Sequence, residues 1–173
     1  MIGNDVVDLW QSRQESNWQR KGFLEKLFTA EEQLLIKCHL NHEMMVWMLW
    51  SMKEAAYKIY NRETKIREYI PKKLVCSNIN FATNSGIQGQ VNCYENQYYT
   101  KTYLNNDYIH TIAANTLEDL KNAIEIENKN IIKDEYGIPY LRILPDKFQD
   151  VSISHHGRFE KVVTILKKVK SSY

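Results

Sequence analysis

The stretch from His42 to Tyr60 holds neither glycine nor proline and is dense in Met, Leu, Trp, Ala and Lys. Strong helix formers without a breaker over that length predict the longest helix of the chain, and the rest must pack around it. Trp47, Trp50, Ser51, Glu54 and Lys58 recur on it at helical spacing, so Glu54 falls beside a tryptophan-rich stripe that should face the core. A carboxylate there needs a cation or metal, because unpartnered burial costs several kcal/mol and raises the pKa. The competing reading is a solvated Glu54–Lys58 pair four residues apart, worth roughly 0.3 to 0.5 kcal/mol. On spacing alone the solvated pair is favoured.

Elsewhere the pattern is mixed. Residues 2–9 read as a short strand, with Val6, Val7 and Ile2 favouring extended backbone. A polar segment follows, in which Arg13, Arg20, Lys21 and Lys26 mix with Trp18, Phe23 and Leu24. Thr29 and Glu32 are spaced as a capping box that starts a helix. Between 74 and 114, four alternating runs separated by Asn/Ser/Gly or Asn/Asp turns predict a meander of strands. Helical spacing from Leu117 to Ile131 predicts a second long helix capped by Thr116, and strands are expected at 140–144, 151–155 and 159–168, before a basic tail. The fold class is α+β, an antiparallel sheet packed against the 42–60 helix, in a single domain spanning 1–173.

Composition narrows the function classes. A hydrophobic fraction of 43% with 6 Gly and 3 Pro suits a packed globular protein. A formal charge of +2 argues against a nucleic-acid binder, whose basic excess is usually much larger. No apolar run approaches a membrane span and no signal core is present, so a cytoplasmic protein without a membrane partner is expected. Cys38, Cys76 and Cys93 are odd in number and show no zinc-type spacing; they read as reduced thiols used mainly for packing.

Three stretches carry chemistry: I-G-N-D-V-V-D-L at 2–9, W-S-M-K-E-A-A-Y-K at 50–58, and G-I-P-Y-L followed by V-S-I-S-H-H-G-R at 137–158. Asp5 and Glu54 can hold a divalent ion, while His155, His156 and Arg158 can hold phosphate. Together they suggest a metal-assisted site for a phosphorylated substrate.

In this order the three stretches resemble the 4'-phosphopantetheinyl transferase superfamily, which moves the phosphopantetheine arm of coenzyme A onto a serine of a carrier protein. The first is similar to the opening strand of the holo-acyl-carrier-protein synthases, the second to the W-x-x-K-E-(A/S)-x-x-K helix, and the third to the G-K-P and S-(I/L)-S-H segments. The strand meander, with Y-T-K-T-Y at 99–103, is similar instead to the larger surfactin-synthetase-activating type. The resemblance reverses the odds on Glu54. It implies that Asp5 and Glu54 hold Mg²⁺, with Mn²⁺ as the alternative, that Lys58 contacts phosphate, and that His155 binds the nucleotide end of coenzyme A. Arg158 and Lys53 are further candidates for phosphate contact, and Glu54 is the candidate general base.

Several positions depart from the family pattern. Val7 leaves no third acidic ligand, Gln11 stands where the small synthases commonly have Arg, and Ile138 in G-I-P removes a cation. Asp8 reads as structural, His156 equally as a site residue or a solvated neighbour, and His39, His42 and His110 as ordinary histidines. An apo acyl or peptidyl carrier protein is the implied partner, with Arg13, Arg20, Lys21 and Lys26 as a candidate docking cluster. A single metal motif favours a homo-oligomer, as in the trimeric small synthases. A noncatalytic coenzyme A or carrier-protein binding module, and a purely structural protein, are the alternatives from other classes.

Overall fold

A computed structural model describes residues 1–82, 86–127 and 129–166. The central element is helix α4, His42–Thr64, four residues longer than the sequence predicts. Asn41 caps its start by accepting the Met44 amide, and Lys65 ends it in a left-handed conformation. Before it come strand β1 (Ile2–Asp8), short helices α1 (Leu9–Glu15) and α2 (Phe23–Leu27), and α3 (Ala30–Cys38). The polar segment after β1 is therefore partly helical. Thr29 and Glu32 form the expected capping box on α3.

The expected meander forms as β2 (Leu74–Asn80), β3 (Ile87–Cys93), β4 (Asn96–Leu104) and β5 (Tyr108–Ala114). With β1 they build an antiparallel sheet in the order β1-β5-β4-β3-β2. Its inner face packs on α4 through Val91, Tyr98, Ile109 and Ala113 against Met48, Met52, Ala55 and Ile59, all fully buried. At Gly3 a side chain would overlap the Ala55 carbonyl oxygen, so glycine lets β1 lie directly on α4. That close approach sets Asp5 of β1 beside Glu54 of α4.

The structure corrects the second long helix. Only Leu117–Lys121 is helical (α5), with Thr116 as cap as expected, and Ala123–Ile126 becomes strand β6, paired with the final strand. The β-branched Ile124 and Ile126 complete a sheet edge there, and tertiary pairing decides over helical spacing. The remaining strands are β7 (Ile131–Lys133), β8 (Pro139–Leu144), β9 (Lys147–His156) and β10 (Phe159–Ile165), forming a second sheet in the order β6-β10-β9-β8-β7. The expected α+β fold, antiparallel sheet packed on a long helix, is present, and its last five strands form a second antiparallel sheet. The predicted end of the last strand at 168, the basic tail and part of the turn before β3 lie outside the described residues.

A small core of Ile2, Ile112, Ala114, Leu120 and Val163 joins the two sheets. Their seam is β1 against β9. The backbone amides of Asn4, Val6 and Asp8, left unpaired by β5, donate to the Ser152 hydroxyl (2.9 Å), the Ser154 hydroxyl (3.0 Å) and His156 Nδ1 (2.9 Å). The partners advance in step, so the strands run side by side in the same direction. The alternation S-x-S-x-H puts three acceptors on one face of β9, which keeps the edge of β1 from carrying unsatisfied donors.

Candidate active site

Asp5 and Glu54 meet at this seam. Asp5 Oδ1 accepts the Ser154 hydroxyl at 3.0 Å, whereas its Oδ2 is buried without a hydrogen-bond partner. Burial raises the Asp5 pKa, opposed by the nearby Lys58 charge and the serine hydrogen bonds. Glu54 is pushed up to about 7, first by burial and then by the charge of Asp5. The Tyr69 hydroxyl, buried beside Glu54, makes no hydrogen bond of normal geometry, and burial together with the Glu54 charge raises its own pKa.

Two carboxylates that oppose each other's ionisation, one with an orphaned buried oxygen, call for a cation between them. The donor set suits Mg²⁺, which takes one or two carboxylates and fills its shell with water and substrate phosphate. Among the described residues no group of three or more His, Cys, Asp or Glu forms a candidate metal cluster.

Lys58 lies four residues beyond Glu54 but does not pair with it on a solvated surface. Its ammonium donates to the Asn4 carbonyl (2.7 Å) and the Ile153 carbonyl (3.1 Å), so it stitches β1 to β9. Burial lowers its pKa, and the charges of Asp5 and Glu54 oppose the shift. One of its three N–H donors remains for a ligand.

The His155 side chain is exposed, and among the described residues nothing is hydrogen-bonded to its imidazole. It stands where two cavities meet. One, of about 420 Å³, is lined by Asp5, Glu54, Trp47, Trp50, Arg20 and Lys26 among others. The other, of about 510 Å³, is lined by Lys58, Arg62, Arg67 and Lys133 together with the Gly137–Ile138–Pro139 turn. His156 also borders the first cavity, but its two ring nitrogens are engaged. Nδ1 accepts the Asp8 amide, so the proton sits on Nε2, which meets Glu15 at 3.1 Å.

Two predicted phosphate ligands are not brought to the site. Lys53 is fully buried, donating to Glu32 (2.7 Å) and to the carbonyls of Leu27 (3.0 Å) and Pro71 (2.9 Å). Glu32 in turn accepts the Thr29 and Cys76 amides, so the capping-box acid doubles as the partner of a core lysine. The Arg158 guanidinium grips both oxygens of the buried Asp8 at 2.9 Å. Asp8 also caps α1, and Arg158 chiefly holds its carboxyl well below the usual range. Asp8 is structural, as its position in the sequence suggested. Of the candidate docking cluster, Arg13 is paired to Glu43 at 2.9 Å, while Arg20 and Lys26 face the first cavity.

A family model described as the 4'-phosphopantetheinyl transferase superfamily matches residues 1–113. The chain belongs to that superfamily. Its members transfer phosphopantetheine from coenzyme A, and the shared stretch contains Asp5, Glu54 and Lys58. Solved structures with a similar course include the apo ACPS of Chronobacterium ammoiniagenes, 12% identical, covering 65% of this chain and 93% of that one, with a TM-score of 0.47. Helicobacter pylori holo-[acyl-carrier-protein] synthase in complex with coenzyme A is 12% identical over 67% of this chain and 100% of that one, TM-score 0.46. The corresponding Thermotoga maritima synthase is 11% identical over 94% of this chain and 81% of its own, TM-score 0.46. No curated protein matches the chain.

Ser152, Ser154 and Tyr69 were not singled out from the sequence. The period-2 alternation of V-S-I-S-H-H marks the two serines as sharing one strand face. Nothing near Tyr69 in sequence signals its approach to Glu54, because the linker after α4 has no periodic pattern.

Proposed function

We propose that this chain transfers the phosphopantetheine arm of coenzyme A to a serine of an apo acyl or peptidyl carrier protein, with Mg²⁺ as the metal and 3',5'-adenosine bisphosphate as the released product. The observation that carries the reading is the meeting of Asp5, Glu54, Lys58 and His155 at one seam. Segments far apart in the chain converge on a pair of cavities whose shared wall is a free imidazole.

Asp5 Oδ2 and Glu54 are the groups that would hold the ion, which when bound would neutralise the diphosphate and stabilise charge building on its oxygens. His155, at the junction, orients the diphosphate between the cavities. Glu54 is assigned the serine proton as the hydroxyl oxygen attacks the β-phosphorus and the bond to the nucleotide phosphate breaks. The free N–H of Lys58 faces the charge left on the departing phosphate. The first cavity, with its tryptophans and the cations Arg20 and Lys26, is where the acceptor serine approaches.

Equilibrium binding of coenzyme A with and without Mg²⁺ tests this. Wild type should bind in a metal-dependent way, and Glu54→Gln should lose the metal dependence while remaining folded. Coenzyme A affinity indifferent to Mg²⁺ in the wild type would overturn the assignment of the carboxylates.

A further inference from the structure

Trp50, Glu54 and Tyr57 follow one another on α4 at steps of four and three residues, so they share one face of the helix. The linker after α4 lays Tyr69 across that face. Its ring meets Trp50 edge-on, with centroids 5.6 Å apart and planes at 81°, and meets Tyr57 at 4.8 Å and 70°. The linker is tied on both sides of this contact. Arg67 donates to the Tyr136 carbonyl, and the buried Lys53 donates to the Pro71 carbonyl at 2.9 Å. Trp50 borders the first cavity and Tyr57 the second, while Tyr69 borders neither and lies on the protein side of Glu54.

A ring held between Trp50 and Tyr57 brings its hydroxyl to the residue between them, Glu54. That hydroxyl is buried and has no hydrogen-bond partner of normal geometry. Buried polar groups are seldom left so, and each one that is calls for a reason. Burial, with the charges of Glu54 and Asp5, pushes the phenol pKa up, so the group stays protonated and is a donor in want of an acceptor. Glu54 is the acceptor at hand. The phenol acts on Glu54 in return, opposing the rise that burial causes.

The other carboxylate of the pair shows the same arrangement completed. Ser154 donates to Asp5 Oδ1 at 3.0 Å and leaves Oδ2 open. We propose that Tyr69 is the matching positioning residue for Glu54: its hydroxyl donates to one carboxylate oxygen and turns the other toward Asp5 Oδ2 and the ion. Each acid then has one oxygen held by a protein hydroxyl and one left for the metal. Carboxylates that ligate metals are themselves oriented by hydrogen bonds, and loss of such a partner typically weakens metal binding by roughly 10- to 100-fold. This rests on the metal–carboxylate reading of the site and gives the linker after α4 a part in binding the ion.

Tyr69→Phe keeps the ring between Trp50 and Tyr57 and removes only the hydroxyl. The test is Mn²⁺ binding, read from the electron paramagnetic resonance signal of the unbound ion, with and without coenzyme A. Wild type, Tyr69→Phe, Glu54→Gln and the double variant are compared. Tyr69→Phe should bind Mn²⁺ about tenfold more weakly than wild type, while urea denaturation in chelator shows it folded. Added to Glu54→Gln, it should cost no further affinity, because the hydroxyl acts only through that carboxylate. In transfer assays the Mg²⁺ concentration for half-maximal rate should rise about tenfold, with KM for coenzyme A unchanged at saturating Mg²⁺. Wild-type Mn²⁺ affinity in Tyr69→Phe, an additive loss in the double variant, or a Tyr69→Phe chain that no longer folds overturns the positioning role and leaves the transferase reading standing. Wild type that binds no Mn²⁺, or Glu54→Gln that binds it as well as wild type, removes the carboxylate site and this inference with it.

Discussion

Replacing Glu54 with Gln should make the metal-free protein more stable at alkaline pH. The Glu54 pKa is about 7 in the folded chain against an ordinary 4.5. A carboxyl raised in the folded state contributes its full stability below pH 4.5, and that contribution is lost as pH rises through about 7. From the distance between those values, ionised Glu54 destabilises the folded chain at pH 8 by about 3 kcal/mol, an upper figure because Lys58 moves with it. Gln keeps the volume and removes the charge. In chelator, urea denaturation should therefore find Glu54→Gln more stable than wild type by about 2 to 3 kcal/mol at pH 8, with the curves converging near pH 4.5. Saturating Mg²⁺ should reverse the order at pH 8, because it binds the ionised wild type and not the variant. Comparing the two proteins also cancels His110, whose pKa falls to about 4 through burial and which loses stability as pH drops below about 6.5. Parallel pH curves for the two proteins, or equal Mg²⁺ stabilisation, would refute the claim that these carboxylates are held close and await a cation.

Three further outcomes are expected. Lys53→Met strands the buried Glu32 carboxylate and should cost about 3 to 5 kcal/mol in urea denaturation, while coenzyme A affinity of the folded protein stays unchanged; a weakened affinity at full stability would return Lys53 to the site. Ser154→Ala removes both the acceptor for the Val6 amide and the donor to Asp5, and should cost about 1 to 3 kcal/mol and raise the Mg²⁺ requirement; unchanged metal dependence would contradict the role given to the seam. Arg20→Glu combined with Lys21→Glu should raise KM for the carrier protein, most at low salt; unchanged carrier kinetics at low salt would move the docking surface elsewhere.

The elements that carry the candidate site were legible because they are local in sequence, whereas the pairing of Asp5 with Glu54 rested on the family resemblance, spacing alone favouring a solvated Glu54–Lys58 pair. Glu54 and Lys58 share a helix whose length follows from residue propensity, and Asp5 lies in a run that can only be extended. The capping box on α3 was readable for the same reason. What misled was distance along the chain. Lys53 and Arg158 carry the right charge, but their partners, Glu32 and Asp8, are brought up by tertiary folding. The 117–131 stretch reads as helix until β10 offers Ile124 and Ile126 an edge to pair with. The second cavity depends on a linker and a turn, segments whose course is set by packing rather than by pattern.

The most direct test of the account is transfer itself. The protein is incubated with coenzyme A, Mg²⁺ and apo carrier proteins of the fatty-acid, polyketide and peptide-synthetase types, and each carrier is read by intact mass. Wild type should add one phosphopantetheine to at least one carrier, with none added in excess chelator or by Glu54→Gln. No mass gain on any carrier with wild type, or full transfer in chelator or by Glu54→Gln, would contradict it.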